Sequence, residues 1–100
     1  MPTQKDLELI QYLRKATDEG KIRWEATPAT DQFVVGFKGK FTITLDKLGS
    51  TCYLRMTDAS DRELLAVSDD VTIMGVEALF EAARRVALDV DSAINEIIQE

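Results

Sequence analysis

Phe33-Val34-Val35-Gly36-Phe37-Lys38-Gly39-Lys40-Phe41-Thr42-Ile43-Thr44-Leu45 alternates apolar residues with others on both sides of a Lys-Gly pair. Phe33, Val35 and Phe37 share one side of an extended chain, and Phe41, Ile43 and Leu45 do so again after the break. The Lys38-Gly39 interruption has room only for a tight hairpin, with Gly39 taking a positive φ. Strands joined by so short a turn are antiparallel neighbours, so this stretch sets an antiparallel sheet at the centre of the fold.

The same alternation extends in both directions. Upstream, Ile22, Trp24 and Ala26 fall opposite Arg23 and Glu25, and Pro28 places residues 27–31 in a loop. Downstream, residues 46–50 contain Gly49 and turn the chain. Cys52, Leu54 and Met56 then alternate with Tyr53, Arg55 and Thr57. Asp58-Ala59-Ser60-Asp61 has turn composition, and residues 63–68 form a fifth strand. Its register stays open, because Leu64 and Leu65 are both apolar. Residues 21–68 therefore predict a five-stranded meander with one apolar and one mixed face.

Helical periodicity replaces this pattern at both ends. Thr3 and Asp6 have capping-box spacing, Leu9, Ile10, Leu13 and Ala16 make one stripe, and Gly20 ends the segment. Leu7 falls on the polar side with Gln11 and Arg14. Val76, Leu79, Phe80, Ala83 and Val86 make a second stripe, with Glu81 and Arg85 spaced as an i,i+4 pair on the far side. Asp89 is placed as an N-cap for a last helix, whose buried stripe would be Val90, Ala93, Ile94 and Ile97. The expectation is a single α+β domain over residues 1–100. It has an N-terminal helix, a five-stranded antiparallel meander, and two C-terminal helices packed on one sheet face.

The chain has 100 residues, of which 45% are hydrophobic and 30% charged, a mixture that supports one ordinary core. Cys52 is the only cysteine, so no internal disulfide forms. The first residues lack the basic and apolar regions of a signal peptide, and no apolar run approaches the ~18 residues of a membrane span. These features predict a cytoplasmic protein with no membrane partner. Nine Lys/Arg stand against seven Asp/Glu in residues 1–57, and three against eleven in residues 58–100. The net charge of −6 thus lies entirely in the last 43 residues, which disfavours non-specific contact with nucleic acid or anionic lipid.

The chain contains no histidine, which removes the usual neutral-pH base, the Ser-His and Cys-His pairs, and every imidazole metal site. No GxGxxG, P-loop or HExxH pattern occurs. Acidic residues cluster at Asp58, Asp61 and Glu63, at Asp69 and Asp70, and at Asp89 and Asp91. None of these clusters has EF-hand spacing, and each sits where aspartate favours a turn or a helix start. Alternation turns Cys52 inward with Leu54 and Met56, and Trp24 inward with Ile22. No enzyme activity, cofactor or metal is expected.

The mixed sheet face is the candidate surface. Arg23, Val34, Lys38, Lys40, Thr42, Thr44, Tyr53, Arg55 and Thr57 should lie on it. A basic and aromatic sheet face is also the layout of a nucleic-acid platform, which would rest on Lys38, Lys40, Tyr53 and Arg55.

Gly20-Lys21-Ile22-Arg23-Trp24-Glu25, then Phe33, and then Ala82-Ala83-Arg84-Arg85-Val86-Ala87-Leu88-Asp89-Val90-Asp91 with a terminal amphipathic helix make up a longer pattern. It resembles a widespread group of small uncharacterised bacterial α-β5-α proteins. These share a Lys-x-x-Trp-Glu strand and an ARR-x-AL-x-V closing helical pair. The resemblance implies a bacterial or phage cytosolic setting and the same architecture. No firm motif falls between residues 40 and 75, and the resemblance carries no activity and no functional residues.

The functional expectation is a non-catalytic protein–protein interaction module of a regulatory, immunity-type or adaptor kind. Its contact residues would be Lys38, Lys40, Thr42, Thr44, Tyr53, Arg55, Asp69 and Asp70. The alternative is nucleic-acid binding through the mixed face. The fifth strand, with an apolar edge around residues 63–67, leaves a homodimer open.

Overall fold

Trp24 locates the core of the fold. In the computed structural model, which describes residues 4–29, 31–68 and 75–99, its side chain is 1% exposed, at the layer between helices and sheet. The elements run α1 (Gln4–Asp18), β1 (Glu25–Ala26), β2 (Gln32–Phe37), β3 (Phe41–Leu48), β4 (Thr51–Asp58), β5 (Glu63–Ser68), α2 (Val76–Ala87) and α3 (Val90–Ile98). The five strands form one antiparallel sheet in sequential order, an uninterrupted meander. The domain is α+β, with an N-terminal helix and two C-terminal helices on one side of the sheet.

The alternation read from the sequence places the core side chains correctly. Phe33, Ile43, Leu45, Cys52 and Leu54 are buried on the helix-covered face, beneath Ile10, Leu13 and Ala16 of α1 and Val76, Leu79, Phe80 and Ala83 of α2. Cys52 is thus a buried thiol, as its strand position requires. α2 is the central helix, touching α1, four strands and α3.

Several local expectations need correction. Leu7 is half-buried and packs against the core with Leu9, rather than facing water. β1 is only Glu25–Ala26, so Ile22 and Trp24 lead into the strand without belonging to it. Both Lys38 and Gly39 have positive φ at the β2–β3 turn, where only Gly39 was expected to. β3 runs on to Leu48, so Asp46 and Lys47 are ladder residues, and Gly49-Ser50 alone makes the next turn. Gly49 has φ 62°, a conformation that costs a glycine little.

β5 settles the Leu64–Leu65 ambiguity by a bulge. Met56 pairs with Leu65, but the neighbouring Thr57 pairs with Glu63, so Leu64 is the extra residue and stands exposed. The extra residue shifts the alternation of β5 by one, so that Leu65 packs against the core beside Met56 while Glu63 pairs with Thr57. At the preceding turn, the Asp58 carboxylate accepts hydrogen bonds from the Ser60 and Arg62 backbone N–H groups and from Arg62 Nε. That carboxylate serves the turn. The expected Thr3 cap lies outside the described residues.

Candidate partner-binding surfaces

Two surfaces of the domain carry residues that its core does not use. The first is the sheet face away from the helices. Gln32 and Asp46 are directly opposed across β2 and β3, and Thr44 and Arg55 across β3 and β4. This register puts Arg55 diagonally beside Asp46, and a chain of hydrogen bonds follows. Thr27 Oγ1 donates to Gln32 Oε1 at 2.7 Å, Gln32 Nε2 donates to Asp46 Oδ1 at 2.6 Å, and Arg55 Nη2 donates to Asp46 Oδ2 at 3.0 Å.

Lys40, Thr42, Thr44 and Arg55 come together around a hollow of about 580 Å³, where Gly36 leaves room because it has no side chain. Thr57, Asp58 and Asp61 contribute to its wall, so two basic residues face two acidic ones. Tyr53 lies in a neighbouring hollow of about 530 Å³ with Asp46, Leu48, Ala66 and Ser68, and Arg55 is shared by both. Lys38 is exposed in the β2–β3 turn and lines neither hollow. Lys40 also sits in that turn, before β3 begins. Asp69 and Asp70 lie outside the described residues.

Asp46 holds this face together, which can be measured. Its carboxylate is 18% exposed against 44% for the Arg55 side chain. Asp46→Ala leaves the Gln32 amide and the Arg55 guanidinium without their acceptor, and should cost about 1 kcal/mol in urea unfolding. A double-mutant cycle with Arg55→Ala should yield a coupling of roughly 0.2–1 kcal/mol, as for other part-exposed pairs. Zero coupling would mean that the pair does not order the face.

The second surface is α3. Its residues Val90, Ala93, Ile94, Ile97 and Ile98 follow i, i+3, i+4, i+7 and i+8 spacing, the pattern of a helix that buries a stripe. The expectation that this stripe is buried fails, because no α3 residue is buried. Ile97 and Ile98 are 71% and 73% exposed, and Ile94 and Leu88 are also exposed. The reason is geometric. Leu88 ends α2, Asp89 takes a left-handed conformation (φ 52°, ψ 47°), and the redirected chain meets α2. Asp89 occupies the N-cap position but makes no side-chain capping hydrogen bond.

An ion pair spans the corner. Arg85 Nη2 donates to Asp91 Oδ1 at 2.6 Å, so Arg85 reaches across to the first turn of α3 instead of pairing with Glu81. Leu88 and Ile98 were missing from the sequence reading of this stripe. Ile98 was recoverable, since it stands four residues after Ile94. Leu88 was not, because its exposure follows from the turn at Asp89.

No helix among the described residues is long and apolar enough to cross a membrane. Comparison with known proteins brings no relative to bear on either surface: no family model, no curated protein and no solved structure matches this chain.

Proposed function

We propose that this chain is a non-catalytic protein–protein interaction module, a cytoplasmic regulatory, immunity-type or adaptor protein, which makes its contact through the apolar stripe of α3. One observation supports the reading: α3 has the amphipathic spacing of a packing helix, yet none of its residues is buried. Single exposed apolar residues are ordinary, but contiguous ones on a regular element mark an interaction site. The stripe is flanked by Asp91 and Glu96, which would act on partner choice and encounter rate more than on affinity.

The nucleic-acid reading has less support. Arg55 is already paired with Asp46, Asp61 shares the hollow with Lys40, and the Arg62 charge is taken up by Asp58. A phosphate backbone is drawn by uncompensated positive charge.

The test is capture by the tagged chain from nuclease-treated lysate of its source, beside Ile97→Glu/Ile98→Glu. The expected result is a stoichiometric protein retained by the parent chain and lost from the double variant. The two should melt alike at low concentration, because neither isoleucine is buried. Equal retention by both would remove α3 from the reading. Retention by neither, with a purified chain that also stays monomeric, would remove the reading itself.

A further inference from the structure

We infer that the apolar stripe of α3 is covered by a second copy of this chain, the two helices packing antiparallel about a two-fold axis. The inference rests on the proposed interaction role of α3 and names its partner.

Charge distribution around the stripe points to this occupant. The distal half of α3 carries Glu96 and no basic residue in its last turn, an unfavourable placement at the negative end of a helix dipole. The proximal corner, where α2 ends, carries Arg84 and Arg85 in its last turn. Arg85 is engaged by Asp91, while Arg84 has no ion pair among the described residues. Antiparallel packing of two copies lays the distal end of each α3 against the proximal corner of the other. Glu96 of one copy then faces Arg84 of its partner, and the two helix dipoles oppose head to tail.

The corner also removes the main objection to self-pairing. Asp91 would lie near the acidic distal end of the other copy, but the Arg85 guanidinium already neutralises it at 2.6 Å. Ala93, in the middle of the stripe, allows the helix backbones to approach closely. Leu88 extends the apolar surface beyond the helix. An anionic lipid surface fits this face poorly, because α3 offers it Asp91 and Glu96 and no Lys or Arg.

A nine-residue helix presents a small interface, so association should be reversible, with Kd on the order of micromolar. Sedimentation velocity on the purified chain from about 1 µM to about 500 µM spans that range. The expected result is a concentration-dependent monomer–dimer equilibrium. Ile97→Glu/Ile98→Glu should weaken it on the order of a hundredfold, by exchanging two buried apolar contacts for like charges. Arg84→Glu and Glu96→Arg should each weaken it about threefold, and their combination should restore it.

A parent chain that stays monomeric throughout overturns the inference. The interaction role then survives only if capture from lysate yields a different protein that the α3 variant loses. A dimer that persists in Ile97→Glu/Ile98→Glu overturns the α3 seat and places the contact elsewhere. Failure of the charge exchange to restore the dimer overturns the antiparallel arrangement.

Discussion

Trp24→Ala should lower the unfolding free energy by about 3–5 kcal/mol, the range for removing a large aromatic from a closed core. A domain of this size is held by roughly 5–15 kcal/mol in all, so the variant should be partly unfolded near its growth temperature. Trp24 is 1% exposed, and the side chains around it come from both layers. Part of its contribution is polar. Trp24 Nε1 donates to Thr17 Oγ1 at 2.9 Å, and the Thr17 hydroxyl donates to the Leu13 carbonyl at 2.6 Å. Thr17 is itself buried, so Thr17→Val keeps the shape but leaves the indole N–H without an acceptor, at about 1–3 kcal/mol. In a Trp24→Phe background the same Thr17→Val change should cost much less, since no donor is then stranded. Urea unfolding followed by far-ultraviolet circular dichroism measures the parent and all four variants, including those without tryptophan. A loss below about 1 kcal/mol for Trp24→Ala would mean that the residue is not the keystone of the layer.

The sheet was legible in the sequence because alternation has a period of two, and a core on one face enforces it strand after strand. Phe33, Ile43, Leu45, Cys52 and Leu54 sit where their spacing put them. The failures have physical causes of a different kind. Whether Leu64 or Leu65 faced the core depended on a bulge, which is a property of the β4–β5 pair and not of either strand. The Thr17–Trp24 bond joins a helix to the chain after its stop signal, so no local pattern announces it.

For the candidate surfaces, faces were legible and positions were not. Lys40, Thr42, Thr44 and Arg55 do converge, whereas Lys38, in the turn with a positive φ, lines neither hollow. The α3 stripe has the expected Val90, Ala93, Ile94 and Ile97 but adds Ile98 and Leu88, and it lies in an exposed setting instead of a buried one. Periodicity records that a helix has an apolar side, but says nothing about whether this chain or another supplies the cover.

Phe80→Ala should match Trp24→Ala in magnitude, about 3–5 kcal/mol, but differ in where the loss is felt. Phe80 is 1% exposed on α2 and joins that helix to the sheet. Its ring lies 5.4 Å from the Phe33 ring at an interplanar angle of 54°, and Lys47 Nζ lies over it at 5.9 Å. Trp24 lies beneath α1, whereas Phe80 anchors the helix to which α1 and α3 both attach. Native-state hydrogen exchange on Phe80→Ala should therefore show α2 and α3 amides losing protection before those of the β3–β4 hairpin, which keeps its ladder. Phe80→Leu, which refills part of the space, should recover a large share of both stability and α2 protection. Uniform loss across helices and strands would instead show one cooperative unit. If α2 does loosen first, Phe80→Ala should also abolish association through α3 without altering a single residue of that helix. The Arg85–Asp91 clip and the left-handed turn at Asp89 hold α3 in place only while the end of α2 is itself held.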